Sequence, residues 1–224
     1  MHRSGTSLLA GSLEAAGLFL GDVNNAAPHN KKGNKENISL RDFNDSLLAR
    51  VNADWRSPPT TPIAWSASEQ NKALILCQNY IDHAPAWGFK DPRSLWTLEG
   101  WLDLFPNAKL IGVFRHPALV MQSLNDRPGK LKMSPETGEV LWYKTNQKLL
   151  ALKKKHEFPL LHFDADRIEE RFFNPLRRCA KTFMLPNDPA DFFSRALVHQ
   201  TRPNFVANRT TLELYASLQM HRMS

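Results

Sequence analysis

The sequence predicts an α/β fold: one three-layer domain with helices on both sides of a central parallel sheet. Three observations lead there. Short apolar runs, "WGF", "AKLIGVF" and "PLLHFDAD", alternate with longer stretches of helical periodicity, the order of strand–helix–strand units. The run Ala108–Phe114 is nearly continuously apolar, as in strands buried on both faces. Prolines 92 and 117 sit just past two of these runs, where proline suits the first turn of a helix. The 224 residues suffice for one such domain. It is taken to span 1–224, best supported over 1–170, with 185–224 weakly patterned.

In chain order, a helix is expected from about Thr6, with Leu9, Leu13 and Ala16 on one face and Gly17 as its stop. The polar stretch "GDVNNAAPHNKKGNKEN" reads as an exposed loop. "SLRDFNDSLLARV" is helical, with Leu40, Phe43, Leu47 and Leu48 facing in. A proline-rich connector, "RSPPTTPIAW", leads to the amphipathic helix "SEQNKALILCQNYIDHA". Strand "WGF", helix "PRSLWTLEGWLDLF", strand "AKLIGVF" and helix "PALVMQSL" follow, with Asp91 expected to cap the helix at Pro92. Trp96 and Trp101, five residues apart on that helix, point about 140° from each other. The helix from Pro135 ends in lysines, which suit the negative end of its dipole. Strand "PLLHFDAD", helix "RIEERFFNPLRRCAKTF" and short helices in "DPADFFSRAL" and "TTLELYASLQMHR" complete the chain.

Composition narrows the classes of function. The net charge is +7 and the pI about 9.5, which suits an anionic ligand, nucleic acid or an acidic membrane surface. No helix-turn-helix, RNA-binding or zinc signature is present, so no nucleic-acid partner is expected. The two cysteines, Cys77 and Cys179, stand outside any CxxC spacing. That disfavours a zinc site or disulfide framework and points to a reducing, cytoplasmic setting. No run reaches the length of a membrane span, and no metal constellation is present.

Three elements have anion-binding chemistry. In Arg3-Ser4-Gly5-Thr6-Ser7 a helix starts just after glycine, so unpaired backbone N–H groups and two hydroxyls meet an arginine fork. It is not a Walker A loop, because no lysine follows the glycine. Arg115 ends the strand "AKLIGVF", and Ser123 lies two turns along the next helix. Ligands of open α/β sheets bind beyond such strand ends. Lys90-Asp91-Pro92-Arg93 follows "WGF" and opens a helix, placing a cation at the same edge. Each element alone is also what an ordinary helix cap, surface arginine or loop lysine looks like.

Together, His2-Arg3-Ser4-Gly5-Thr6-Ser7, Lys90-Asp91-Pro92-Arg93 and "FPNAKLIGVFRHPALVMQSL" resemble the sulfotransferases that use 3′-phosphoadenosine 5′-phosphosulfate (PAPS). The resemblance is to the branch of tyrosylprotein and bacterial sulfotransferases. It runs from residue 1 to residue 170, and is most specific over 87–125. It implies a P-loop nucleotide-hydrolase-like fold, with PAPS as sulfuryl donor and no metal. Arg3, Ser4, Gly5, Thr6 and Ser7 would hold the 5′-phosphosulfate, and Arg115 and Ser123 the 3′-phosphate. Lys90 and Arg3 would act on the leaving group. The acceptor would be a hydroxyl or amine of a glycan, lipid, peptide or small molecule. Glu36 is the first candidate for the base, ahead of His29 and Asp22. The resemblance also implies a buried strand directly ahead of the Arg3–Ser7 turn. Only Met1 and His2 precede that turn, so the expectation is an N-terminally truncated chain with its first strand missing and Met1 internal to a longer loop. The family's C-terminal cofactor-covering segments are not recognisable. A non-catalytic nucleotide- or anion-binding relative and a P-loop small-molecule kinase are the alternatives.

Overall fold

The computed structural model describes residues 1–26, 32–197 and 204–223. Helix α1 (Thr6–Ala15) is followed by α2 (Ile38–Arg50), α3 (Ala67–His83) and α4 (Ser94–Leu104). Strand β1 (Gly112–Arg115), α5 (Pro117–Asn125), α6 (Pro135–His156) and β2 (Leu160–Phe163) come next. A wide helical turn, Glu169–Phe173, runs into α7 (Asn174–Thr182), and α8 (Arg209–Met220) is the last helix. "DPADFFSRAL" forms two short tight turns, Pro189–Phe192 and Arg195–Leu197, rather than one helix. Among the described residues no helix is long and apolar enough to cross a membrane.

The local signals account for the helix ends. The Gly17 backbone, at φ +111°, ends α1, and Leu18 N–H reaches back to Leu13 O at 2.9 Å. Ser66 and Glu69 form a reciprocal capping box at the start of α3. One expectation is corrected. The N-cap of α4 is Arg93, not Asp91, and Pro92 lies in the turn before it. Asp91 Oδ1 instead accepts from Arg93 N–H at 3.0 Å, so its side chain folds back over the turn.

The fold is mixed α/β, with a sheet narrower than the sequence predicts. β1 and β2 pair in parallel, Gly112 opposite Leu160 through Arg115 opposite Phe163. The apolar run from Ala108 joins the ladder only at Gly112, whose N–H bonds Pro159 O at 2.9 Å. Pro159 has no N–H to continue the pairing. "WGF" shrinks to a single parallel bridge between Trp87 and Phe19. Apolar clusters cover both faces of the β1–β2 pair. Val113 and Leu161 pack with Leu9, Leu13, Phe172 and Leu176, while Phe114 and Leu160 pack with Leu124, Trp142, Leu149 and Leu152. A third cluster joins Leu40, Phe43 and Leu47 of α2 to Cys77 and Tyr80 of α3 and Trp101 of α4. Trp101 is thus the core tryptophan of α4, and Trp96 is half-buried. Both cysteines are free and buried.

Candidate functional site

The site is built where β1 ends. Gly5 stands at φ +90°, so the chain turns sharply into α1 and Leu9 N–H takes the Gly5 carbonyl at 2.9 Å. A Cβ on Gly5 would lie 2.9 Å from Phe163 Cγ of β2, so the turn presses against the sheet. Arg3, also at positive φ (65°), extends its guanidinium toward α5, where Nε donates to Ser123 Oγ at 2.7 Å. Arg115 NH1 donates to the Arg3 carbonyl at 3.4 Å. Three elements far apart in sequence therefore meet: the turn at 3–5, the end of β1 and the first turns of α5. Ser4 is fully buried, and its hydroxyl has no hydrogen-bond partner. Thr6 and Ser7 are half-buried at the start of α1.

Two residues that the sequence did not single out join this cluster. Arg127 lies one turn beyond Ser123, with its Nε buried and without a partner. Trp55, just ahead of the proline-rich connector, packs 4.5 Å from the His2 ring and lies under the guanidinium groups of both Arg56 and Arg127. Arg127 lies two residues past the end of α5, so no helical spacing marked it. Nothing local marks Trp55.

Electrostatics separates this cluster from ordinary surface arginines. Burial, with Arg3 alongside, pushes the Arg115 guanidinium down to about 10. Burial, followed by Arg3 and Arg56, pushes Arg127 down to about 10 as well. Burial also lowers Arg3. Each is still cationic at neutral pH. Three buried or half-buried guanidinium groups are thus gathered in one place, each lowered first by lost solvent.

Lys90 and Glu36 form the neighbouring part. Lys90 Nζ lies 2.5 Å from Glu36 Oε1 and 3.0 Å from the Asn34 carbonyl. Ser7 Oγ donates to that same carbonyl at 3.1 Å, which ties the start of α1 to Lys90. Glu36 precedes the helix rather than lying in it, since Asn37 caps α2 by accepting from Leu40 N–H at 3.1 Å. Behind Lys90 is a closed polar network. Asp91, its carboxylate 1 % exposed, accepts from Arg93 NH1 and from Asn44 Nδ2. Arg93 Nε donates to Asp45 at 2.6 Å, and its NH1 lies 3.9 Å from Glu36. Asn44 Oδ1 accepts from Thr97 and Trp101. Burial lowers the Lys90 pKa against the pull of Glu36, and burial raises that of Asp91 against the pull of Arg93.

Of the three candidate bases, the structure brings Glu36 to Lys90. Asp22 is exposed, and its backbone carbonyl accepts from Asn37 Nδ2 at 3.0 Å. His29 lies outside the described residues. His116, the residue between β1 and α5, faces the Tyr215 ring at 4.8 Å and so packs against α8. Among the described residues, no group of three histidine, cysteine or acidic side chains could hold a metal ion. Comparison with family models, curated proteins and solved structures finds no match to this chain.

Proposed function

We propose that the chain binds a 3′,5′-bisphosphorylated nucleotide of the PAPS type and transfers its sulfuryl group to a hydroxyl or amine. The observation that carries this reading is the convergence of Arg3, Arg115 and Ser123 beside a glycine turn with unsatisfied buried donors at Ser4 and Arg127. These donors fit an anion with several oxygens and would leave a neutral ligand poorly paired.

On this reading Arg115, Ser123 and Arg127 hold the 3′-phosphate, and the Arg3–Ser7 turn holds the 5′ end. When bound, the donor supplies a sulfuryl group whose sulfur–oxygen bond to the 5′-phosphate breaks as a new bond to the acceptor oxygen or nitrogen forms. Lys90 neutralises charge on the departing bridging oxygen. Glu36 accepts the acceptor's proton, so the product phosphate leaves as an anion. The contribution of the protein is positioning and charge placement, as in phosphoryl transfer.

A second reading, a relative that binds the nucleotide without turnover, is favoured by the close Lys90–Glu36 ion pair, which occupies both groups with each other. Calorimetry with 3′-phosphoadenosine 5′-phosphate tests the binding common to both readings. Micromolar affinity, lost about 100-fold in Arg115→Ala, is expected. No heat of binding from a folded sample contradicts both. Release of labelled sulfate to hydroxyl acceptors, abolished in Glu36→Gln, then separates enzyme from binder.

A further inference from the structure

Arg93 and Arg127 are held in different ways. Arg93 is held by carboxylates: its Nε donates to Asp45 and its NH1 to Asp91. Such pairing fixes a guanidinium, but it takes up the N–H groups and offsets the charge. Arg127 is met by a ring. Its Cζ lies over the Trp55 indole, 5.7 Å from the ring centroid, and its buried Nε has no hydrogen-bond partner. An aromatic face attracts a cation through its quadrupole and leaves the in-plane N–H groups unspent. Arg127 thus keeps its charge and its donors while the ring restricts where the guanidinium lies.

Trp55 is itself fixed from several sides. The His2 ring packs on it with centroids 4.5 Å apart, and the indole packs against the core cluster that contains Leu124 and Trp142. Arg56 Cζ lies 5.0 Å from the indole centroid, and Arg56 NH2 donates to the Lys130 carbonyl at 2.6 Å. The backbone here is a closed turn. Asp54 Oδ1 accepts from the N–H groups of Arg56 and Ser57, and Asp54 N–H bonds Ser57 O at 3.1 Å. That turn hangs from the end of α2, where Ala53 N–H bonds Leu48 O at 3.0 Å. A half-buried ring on a rigid mount therefore backs a cation whose own segment, just past α5, gives its Nε no acceptor.

We infer that Trp55 is a positioning residue: it aims the Arg127 guanidinium at the 3′-phosphate and so sets the preference for a 3′,5′-bisphosphorylated nucleotide over a 5′-monophosphate. The inference rests on the nucleotide reading above, in which Arg127 meets the 3′-phosphate. Without the ring Arg127 keeps its charge, but its side chain samples several rotamers and the phosphate has to order it on binding. The Arg3–Ser7 turn is held independently, by Ser123 on Arg3 Nε and by Arg115 on the Arg3 carbonyl. Binding of the 5′ end therefore does not depend on Trp55.

The test compares the affinities of the 224-residue chain for 3′-phosphoadenosine 5′-phosphate and adenosine 5′-phosphate. The unaltered chain is expected to prefer the bisphosphate about 100-fold. Trp55→Leu should weaken the bisphosphate about 10-fold and the monophosphate less than about 2-fold. Trp55→Phe keeps an aromatic face and should recover most of the preference. In an Arg127→Ala background, Trp55→Leu should add less than about 2-fold, because the ring acts through that arginine. Replacing the Trp55 indole by its tetrafluoro analogue keeps the shape and removes the negative face. It should lower the preference about 5-fold with Tm unchanged, and it decides the matter if Trp55→Leu does not fold. Equal loss of both nucleotides in Trp55→Leu, additivity with Arg127→Ala, or full preference with the fluorinated ring each overturns the inference and leaves the nucleotide reading standing. No binding by the unaltered folded chain, or binding without preference for the bisphosphate, overturns that reading and the inference together.

Discussion

Two polar regions lie side by side at the end of the sheet, and they are built oppositely. Around Asp91, charge is balanced: Arg93 is met by Asp91 and Asp45, Lys90 by Glu36, and Asn44 joins both helices to the turn. Around Arg115, cations face cations: burial first, and then the Arg3 guanidinium, lowers both Arg115 and Arg127. The first region is complete without a ligand, so its side chains hold the fold. In the second, the Ser4 hydroxyl and the Arg127 Nε have no hydrogen-bond partner, and these are the donors the proposed anion would meet.

The comparison is broken most severely if the balanced region turns out dispensable. Asn44→Leu removes four hydrogen bonds and strands the Trp101 indole and the Asp91 carboxylate. A loss of about 4 kcal/mol is expected, seen as a fall in Tm of roughly 10 °C, with nucleotide affinity retained below the melting range. The next effect is protonation of a buried histidine in the sheet. His162 of β2 is buried between Arg171 and Tyr215, and burial holds it at about 4, well below 6.5. The unfolded chain binds that proton more tightly. Stability from this group is therefore full above about pH 6.5, is lost as pH falls toward about 4 and is flat below. The loss is about 3 kcal/mol. Denaturant melts across this range should show it, and His162→Gln should flatten it.

Arg127→Ala sharpens the contrast. It should weaken 3′-phosphoadenosine 5′-phosphate about 30-fold, or about 2 kcal/mol, without lowering the ligand-free Tm, because a buried cation beside other cations is removed. The smallest effect is expected at the turn. Gly5→Ala must hold a side chain at positive φ against Phe163, costing about 1.5 kcal/mol by chemical denaturation.

Much of this was legible along the chain. The helices of residues 6–15, 38–50, 67–83 and 135–156 follow from periodicity, Gly17, the Ser66–Glu69 box and the lysine-rich end of α6. Arg3, Arg115 and Ser123 were nameable because strand ends and helix starts face ligands. The width of the sheet was not legible, because an apolar run signals burial without naming a partner. Trp87–Phe89 found only Phe19, and residues 108–111 meet a gap. Asn44 was hidden because a mid-helix asparagine looks like surface until Asp91, Thr97 and Trp101 close on it. Asp91 was misassigned as a cap because its carboxylate serves the arginine two residues on.

The claim that one region awaits an anion while the other is already satisfied is tested most directly by the arginine Nε–H resonances during titration with 3′-phosphoadenosine 5′-phosphate. The signals of Arg3, Arg115 and Arg127 should shift and become protected from exchange with water, while that of Arg93 stays where it is. Movement of Arg93 with Arg115 and Arg127 unchanged would contradict the account.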